Sequence, residues 1–324
     1  MFGFNVLEFG GPEVMVWEEL PALVPGPHQV LVDVYASGVN FAETRMRAGT
    51  YSGQPLPFVM GMEGAGVVRE VGAAVTTFRP GERVFGRARG THAEQVLFDE
   101  THLMPLPDNL TFEEGAAIPV GWLTAWHALH TVARIKTGHR VLIEAVGGSV
   151  GSAALQIARQ HGCWVAGTAS RDSKLETARE YGADLLINYM EEAIDEKVQA
   201  ATDGEGVDVS LMIIGTQTSE QLLDAMGMDG KVVMFGSTGG REVTFNLNIG
   251  TRNLQLLSMS ISTSPQFVPQ TMVSFRDRAL PLFADGSYKA VVDEVLPLAR
   301  VVEAHQMIDD RNHFGKVILK VDRR

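Results

Sequence analysis

Gly147, Gly148 and Gly151 stand in the run EAVGGSVGSAALQIARQHG, between an apolar segment and an amphipathic one. Small residues at such a junction let an anion approach the main-chain N–H groups that open a helix, where peptide dipoles favour negative charge. Gly148, Ser149, Val150 and Gly151 are therefore candidates to cradle a phosphate. The dinucleotide fingerprint lacks its first glycine, because Val146 stands there when Gly148 and Gly151 take the other two places. A tight strand-to-helix turn without a ligand accounts for the same letters. At the end of the next apolar segment, TASRDSK brings a hydroxyl at Ser170 and cations at Arg171 and Lys174. An acid there would serve the ribose hydroxyls of NAD, whereas this set suits a 2′-phosphate, so NADPH is the expected cofactor. Asp172 argues the other way, although it is equally well placed as the acid of a first helical turn. Solvated charges on a surface helix are the bland alternative for all of them.

Other side chains that could do chemistry are sparse. The single cysteine, Cys163, precludes an intrachain disulfide or a multi-cysteine metal site, and its setting in HGCWVAG reads as a buried strand with an inert thiol. His127 and His130 share roughly one side of a helical segment with no third ligand nearby, and His92, His102, His305 and His313 show no metal spacing. No metal is expected. A formal charge of −12 disfavours extended nucleic-acid binding. The start of the chain lacks a basic, then apolar, leader, and no segment approaches the ~20 apolar residues that span a bilayer, so a cytoplasmic location is expected.

The elements that must position these residues follow from patterning. At 324 residues two domains are expected. HQVLVDVYASGVN, EGAGVVREVG and ERVFGRA are short Val-rich strands separated by turns, so the first part is β-rich. From residue 119, apolar strands over 140–146, 164–169, 185–189, 207–214 and 231–236 alternate with amphipathic helices. That alternation predicts a doubly wound parallel sheet of the Rossmann kind. One helix runs through SKLETAREY, with Ser170 or Asp172 as N-cap and Gly182 as its stop. The tail, ending in KVILKV, reads as a return to the first domain. Residues 1–118 and 262–324 are thus expected to form one domain, with the nucleotide domain, residues 119–261, inserted in it.

Seven segments in order, ASGVNFAETRMRAGTY, PFVMGMEGAGVVREVG, GERVFG, LPDNLTFEEGAAIPVGWLTAWHAL, AVGGSVGSAALQIA, GADLLINY and FGKVIL, carry a family resemblance over nearly the whole chain. It resembles the zinc-independent quinone oxidoreductase branch of the medium-chain dehydrogenase/reductases, the relatives of zeta-crystallin. The resemblance implies a GroES-like catalytic domain around the Rossmann insert. Zinc-dependent members use Cys, His and Cys, and Asn40, Met62 and Val120 match those positions here. It also implies that Asn40 and Tyr51 line the cleft as donors to the acceptor oxygen. Arg45 falls where several relatives carry tyrosine and would bind an anionic group or face solvent. A turn cap for Asn40 and a packed loop aromatic for Tyr51 are the alternatives. For the cofactor, the resemblance implies Thr124, Tyr189, Gly215, Phe235, Gly236, Ser237 and Lys316, and for assembly a homodimer joined near residues 253–262.

The expected activity is NADPH-dependent hydride transfer to a quinone or an α,β-unsaturated carbonyl. Two alternatives stand beside it: an enoyl-thioester reductase, towards which Arg45 points, and an NADPH-binding protein of structural or regulatory purpose with little turnover.

Overall fold

The computed structural model describes residues 1–51, 55–243 and 247–322, with the backbone alone at 247 and 248. The chain forms two compact units, Met1–Val120 with Met272–Arg324, and Gly121–Thr271.

The first unit opens with β1 (Phe2–Val6), β2 (Met15–Glu19), β3 (Gln29–Val39), α1 (Phe41–Arg47), β4 (Phe58–Val59) and β5 (Glu63–Val71). It continues through β6 (Arg83–Arg87), β7 (Gln95–Asp99), β8 (Leu103–Pro105), α2 (Phe112–Ala116) and α3 (Pro119–Trp126), in which the boundary falls. Alternating valines on β3 send Val30, Val32 and Val34 into one core with Val96 and Phe98 of β7. Thr111 and Glu114 cap α2 reciprocally, the Glu114 carboxylate accepting the Thr111 N–H at 2.8 Å.

The second unit contains β9 (Arg140–Ile143), α4 (Ser149–Gln160), β10 (Trp164–Ala169), α5 (Asp172–Glu180), β11 (Leu185–Asn188) and α6 (Ile194–Ala201). After them come β12 (Val207–Met212), α7 (Ser219–Asp224), β13 (Met226–Met234) and β14 (Gln255–Ser258). All six strands pair in parallel in the order β11-β10-β9-β12-β13-β14. That is the expected doubly wound sheet, with its order reversing between β9 and β12. Continuous apolar strands such as RVLI and VDVSLM suit a sheet covered on both faces. The α5 helix starts one residue away from either expected cap: its N-cap is Arg171, because the Asp172 carboxylate instead accepts from Asn188 at 2.9 Å.

The return to the first unit supplies α8 (Val273–Arg278), α9 (Leu280–Ala284), β15 (Val292–Pro297), α10 (Val301–Asp309) and β16 (Lys316–Lys320). β16 joins β3, extending a largely antiparallel sheet of order β15-β16-β3-β5-β6-β8, while β7 also pairs with β3. The units change at 271/272, not at 261/262 as the sequence suggests. Residues 262–271 stay with the second unit because the Thr271 hydroxyl bonds His127 at 2.6 Å and Thr131 at 3.0 Å. Among the described residues no helix is long and apolar enough to cross a membrane.

Candidate active site

In the second unit, the chain leaves β9 through a turn in which Ala145 adopts φ +49° and its carbonyl accepts the Gly148 N–H at 2.8 Å. Gly148 is the N-cap of α4 and offers no side-chain cap. The N–H groups of Ser149, Val150 and Gly151, which have no intrahelical acceptor, are left to bind an anion. A Cβ on Gly151 would lie 2.3 Å from the Ala145 carbonyl oxygen, so the turn closes this tightly only with glycine. Val146, in place of the fingerprint's first glycine, is fully buried over Gly167 of β10, where a Cβ would meet its side chain at 2.9 Å. The missing glycine is thus exchanged for one on the neighbouring strand.

The aliphatic stem of Lys174 runs beside Gly147, 2.9 Å from where a Cβ would stand, which brings α5 against the phosphate turn. Ser170 and Arg171 precede it at the strand end, and Asp172 is held by Asn188. The backbone of Tyr189 continues from β11, its N–H bonded to Ala169 O at 3.1 Å. Gly215, Phe235, Gly236 and Ser237 gather beyond β12 and β13, the N–H groups of 235 and 236 both reaching Met212 O at 3.4 Å. Thr124 is buried on α3. The sites expected to hold a dinucleotide therefore collect in this unit, apart from Lys316. The glycine geometry and uncapped helix fit a pyrophosphate, and the cations fit a further phosphate.

Lys316 belongs to the first unit. It opens β16, is 2% exposed, and donates to Asn40 Oδ1 at 2.6 Å and Glu63 Oε1 at 2.5 Å. Within this unit its ammonium neutralises the buried Glu63 carboxylate. Asn40, the residue between β3 and α1, donates Nδ2 to Glu63 Oε1 at 2.7 Å and to Glu43 Oε1 at 3.2 Å. An ammonium only donates, so the amide oxygen must face Lys316 and the NH2 group the two acidic side chains. Both its N–H donors are engaged. The expectation that Asn40 offers a free donor to an acceptor oxygen is therefore corrected, and the residue instead orients two carboxylates and a lysine. Glu63 completes its own set by accepting the Val120 N–H at 2.6 Å.

Tyr51 is 39% exposed, and its N–H bonds to Arg45 O at 3.1 Å. Gln54, which opens the QPLP segment of the alternative packing for Tyr51, lies outside the described residues. The Arg45 guanidinium contacts Asp309 of α10 at 3.0 Å and lies 4.6 Å from the Phe41 ring centre. That pairing removes the basis for reading Arg45 as an uncommitted anion binder. Arg87, to which the sequence drew no attention, stands opposite Glu63 in the β5/β6 register. Burial lowers its pKa, opposed by the nearby Glu63 and Tyr51.

A second constellation was invisible in the sequence spacing. Ligand atoms of Glu43, His92 and His305 lie within 4.8 Å of one another, all buried. His92 Nε2 is 3.5 Å from Glu43 Oε2, and His305 Nδ1 is 3.1 Å from Arg47 Nη1. Since arginine only donates, Nδ1 of His305 must accept and its neutral ring carries the proton on Nε2. With Nδ1 committed to a guanidinium and Nε2 carrying the proton, the His305 ring has no lone pair left for a cation. Burial pushes Glu43 up to about 8, with Glu63 adding to the rise, and pushes His92 down to about 3. At neutral pH the group is a protonated carboxyl between neutral imidazoles.

Known proteins are similar to this chain over nearly its whole length. The quinone oxidoreductase of Rattus norvegicus is 33% identical, covering 98% of this chain and 97% of its own. This chain belongs to the quinone oxidoreductase family of medium-chain dehydrogenase/reductases. Within that family, a Pseudomonas syringae pv. tomato quinone oxidoreductase superposes with a TM-score of 0.90 at 31% identity, covering 98% of this chain and 99% of the other. A mycobacterial protein complexed with NADPH gives a TM-score of 0.91 at 30% identity, covering 99% and 100%. The alcohol dehydrogenase GroES-like domain model matches residues 26–108, and the zinc-binding dehydrogenase model residues 149–277.

Proposed function

We propose that this quinone oxidoreductase family member is a zinc-independent, NADPH-dependent reductase of a quinone or of the double bond in an α,β-unsaturated carbonyl. The observation that carries the reading is the closed Asn40–Glu63–Lys316 cluster. By the family resemblance Asn40, Met62 and Val120 match the zinc-ligand positions, and the Asn40 amide oxygen is already bonded to the Lys316 ammonium. Neither methionine nor valine is an ordinary zinc ligand, and both oxygens of the neighbouring Glu63 carboxylate already accept hydrogen bonds, from three donors in all.

NADPH, held through the Gly148–Gly151 turn and near Ser170, Arg171 and Lys174, supplies the hydride. Delivery to a conjugated acceptor builds negative charge on its oxygen, so a donor rather than a base is required. The Tyr51 hydroxyl is the donor of choice, with the Arg87 cation nearby. Asn40 acts through the cluster it organises. Arg45, the residue that points towards an enoyl thioester, has one guanidinium nitrogen paired with Asp309, which weakens that reading. A homodimer through the outer edge of β14 belongs to the same proposal.

The test is NADPH and NADH oxidation with matched quinones, enals, enones and enoyl thioesters, with and without a zinc chelator. Turnover of quinones or enones with NADPH preferred, unchanged by chelation, is expected. Loss of activity on chelation with recovery on added zinc would overturn the metal-free chemistry. Tight NADPH binding without turnover of any acceptor would favour a structural or regulatory role.

A further inference from the structure

Where the strand order reverses, the chain leaves β9 for the phosphate turn, and the neighbouring β12 ends at Met212. The next two N–H groups, of Ile213 and Ile214, would then lack carbonyl partners on β9. A side chain supplies them. Glu144, the residue after β9 and fully buried, accepts both N–H groups on Oε2 at 2.7 Å each. Its Oε1 accepts the hydroxyl of Thr218. Thr218 is the N-cap of α7, yet it makes no side-chain cap there, its hydroxyl being given to Glu144.

The segment so pinned includes Gly215, at φ +88°. A Cβ there would stand 2.4 Å from Gly240 O, so the segment lies directly against the loop after β13. The carbonyls of Ile213 and Ile214 accept from Thr238 at 3.3 Å and Gly239 at 2.7 Å, linking the two strand ends. One carboxylate thereby ties the strand leading into the phosphate turn to the end of β12, and through it to the loop beyond β13. Ligands of an open parallel sheet bind at this carboxyl edge.

We propose that Glu144 is a positioning residue for the cofactor, holding residues 213–218 in the conformation that borders NADPH. The inference rests on the NADPH reading above. Glutamine can reproduce the geometry, its oxygen accepting both N–H groups and its amide donating to a rotated Thr218 hydroxyl; alanine cannot.

NADPH affinity measured by fluorescence titration, alongside KM and kcat, tests this in Glu144→Ala, Glu144→Gln and Thr218→Val. Glu144→Ala should raise the Kd and KM for NADPH about tenfold or more, with acceptor KM and kcat at saturating NADPH little changed. Glu144→Gln should return Kd to within about threefold of wild type, and Thr218→Val should raise it severalfold. Wild-type NADPH affinity in a folded Glu144→Ala would overturn the proposal, as would equal damage from Gln and Ala. If the alanine variant does not fold, wild-type Kd in Thr218→Val overturns it. A wild-type protein that binds no NADPH would instead remove the functional reading beneath it.

Discussion

Glu43 shows how burial fixes the state of a single side chain. Its folded pKa of about 8 lies above the ordinary 4.5, so between those values the folded chain keeps a proton that the unfolded chain has lost. Unfolding then releases that proton, and stability falls as pH rises through the window, at up to about 1.4 kcal/mol per pH unit. Glu43→Gln, which resembles the protonated acid, should flatten this slope between about pH 5 and about pH 8 in urea unfolding. An unchanged slope would mean that Glu43 is ionised in the fold. His92 acts in the opposite direction. Held at about 3 against an ordinary 6.5, it withdraws stability as pH falls below 6.5, so the same titration carries an acid limb.

At the scale of elements, the β9–α4 turn depends on two glycines to different degrees. Gly151 has no room for a Cβ, with Ala145 O at 2.3 Å and Val146 Cα at 2.7 Å, whereas at Gly148 the nearest atom would be Ala145 O at 3.3 Å. Gly151→Val should therefore displace the start of α4, cost about 1–3 kcal/mol in stability and weaken NADPH binding at least about tenfold. Gly148→Ala, a tighter but yielding contact at an N-cap, should cost less, about 0.5–1 kcal/mol. Equal behaviour of the two variants in unfolding and NADPH titration would show that the turn is not held by this contact. The α1–α10 junction is a second case, where Asp309 receives both Arg45 and Arg47 and forms a clasp between the two helices.

At the scale of the whole molecule, β14 leaves one edge of the six-stranded sheet without a strand partner among the described residues. An unpaired edge carries a row of main-chain donors and acceptors suited to a second copy of the same strand. Leu256 of β14 also packs against the buried core behind it, which keeps the edge in place. Sedimentation should therefore find particles of about twice 35.2 kDa at micromolar concentration, and Leu257→Lys on the half-buried strand should shift them towards the monomer. A single 35.2 kDa species at high concentration would remove the dimer.

The sequence by itself determined what depends on local period and turn chemistry. The alternation of apolar strands and amphipathic helices after residue 119 specified the parallel sheet, and Gly148 and Gly151 marked its phosphate turn. Ser170, Arg171 and Lys174 could be read as neighbours for the same reason: one strand end and the helix after it carry them together. What the tertiary structure alone decided is which distant polar groups satisfy one another. Asn40 looked like a free donor until β16 brought Lys316 beside it and β5 brought Glu63. Arg45 looked available until α10 presented Asp309, and Glu144 was an unremarked letter until β12 ended beside it. Burial makes each such group require a partner, but pairing across long sequence separations leaves no periodic trace in the chain.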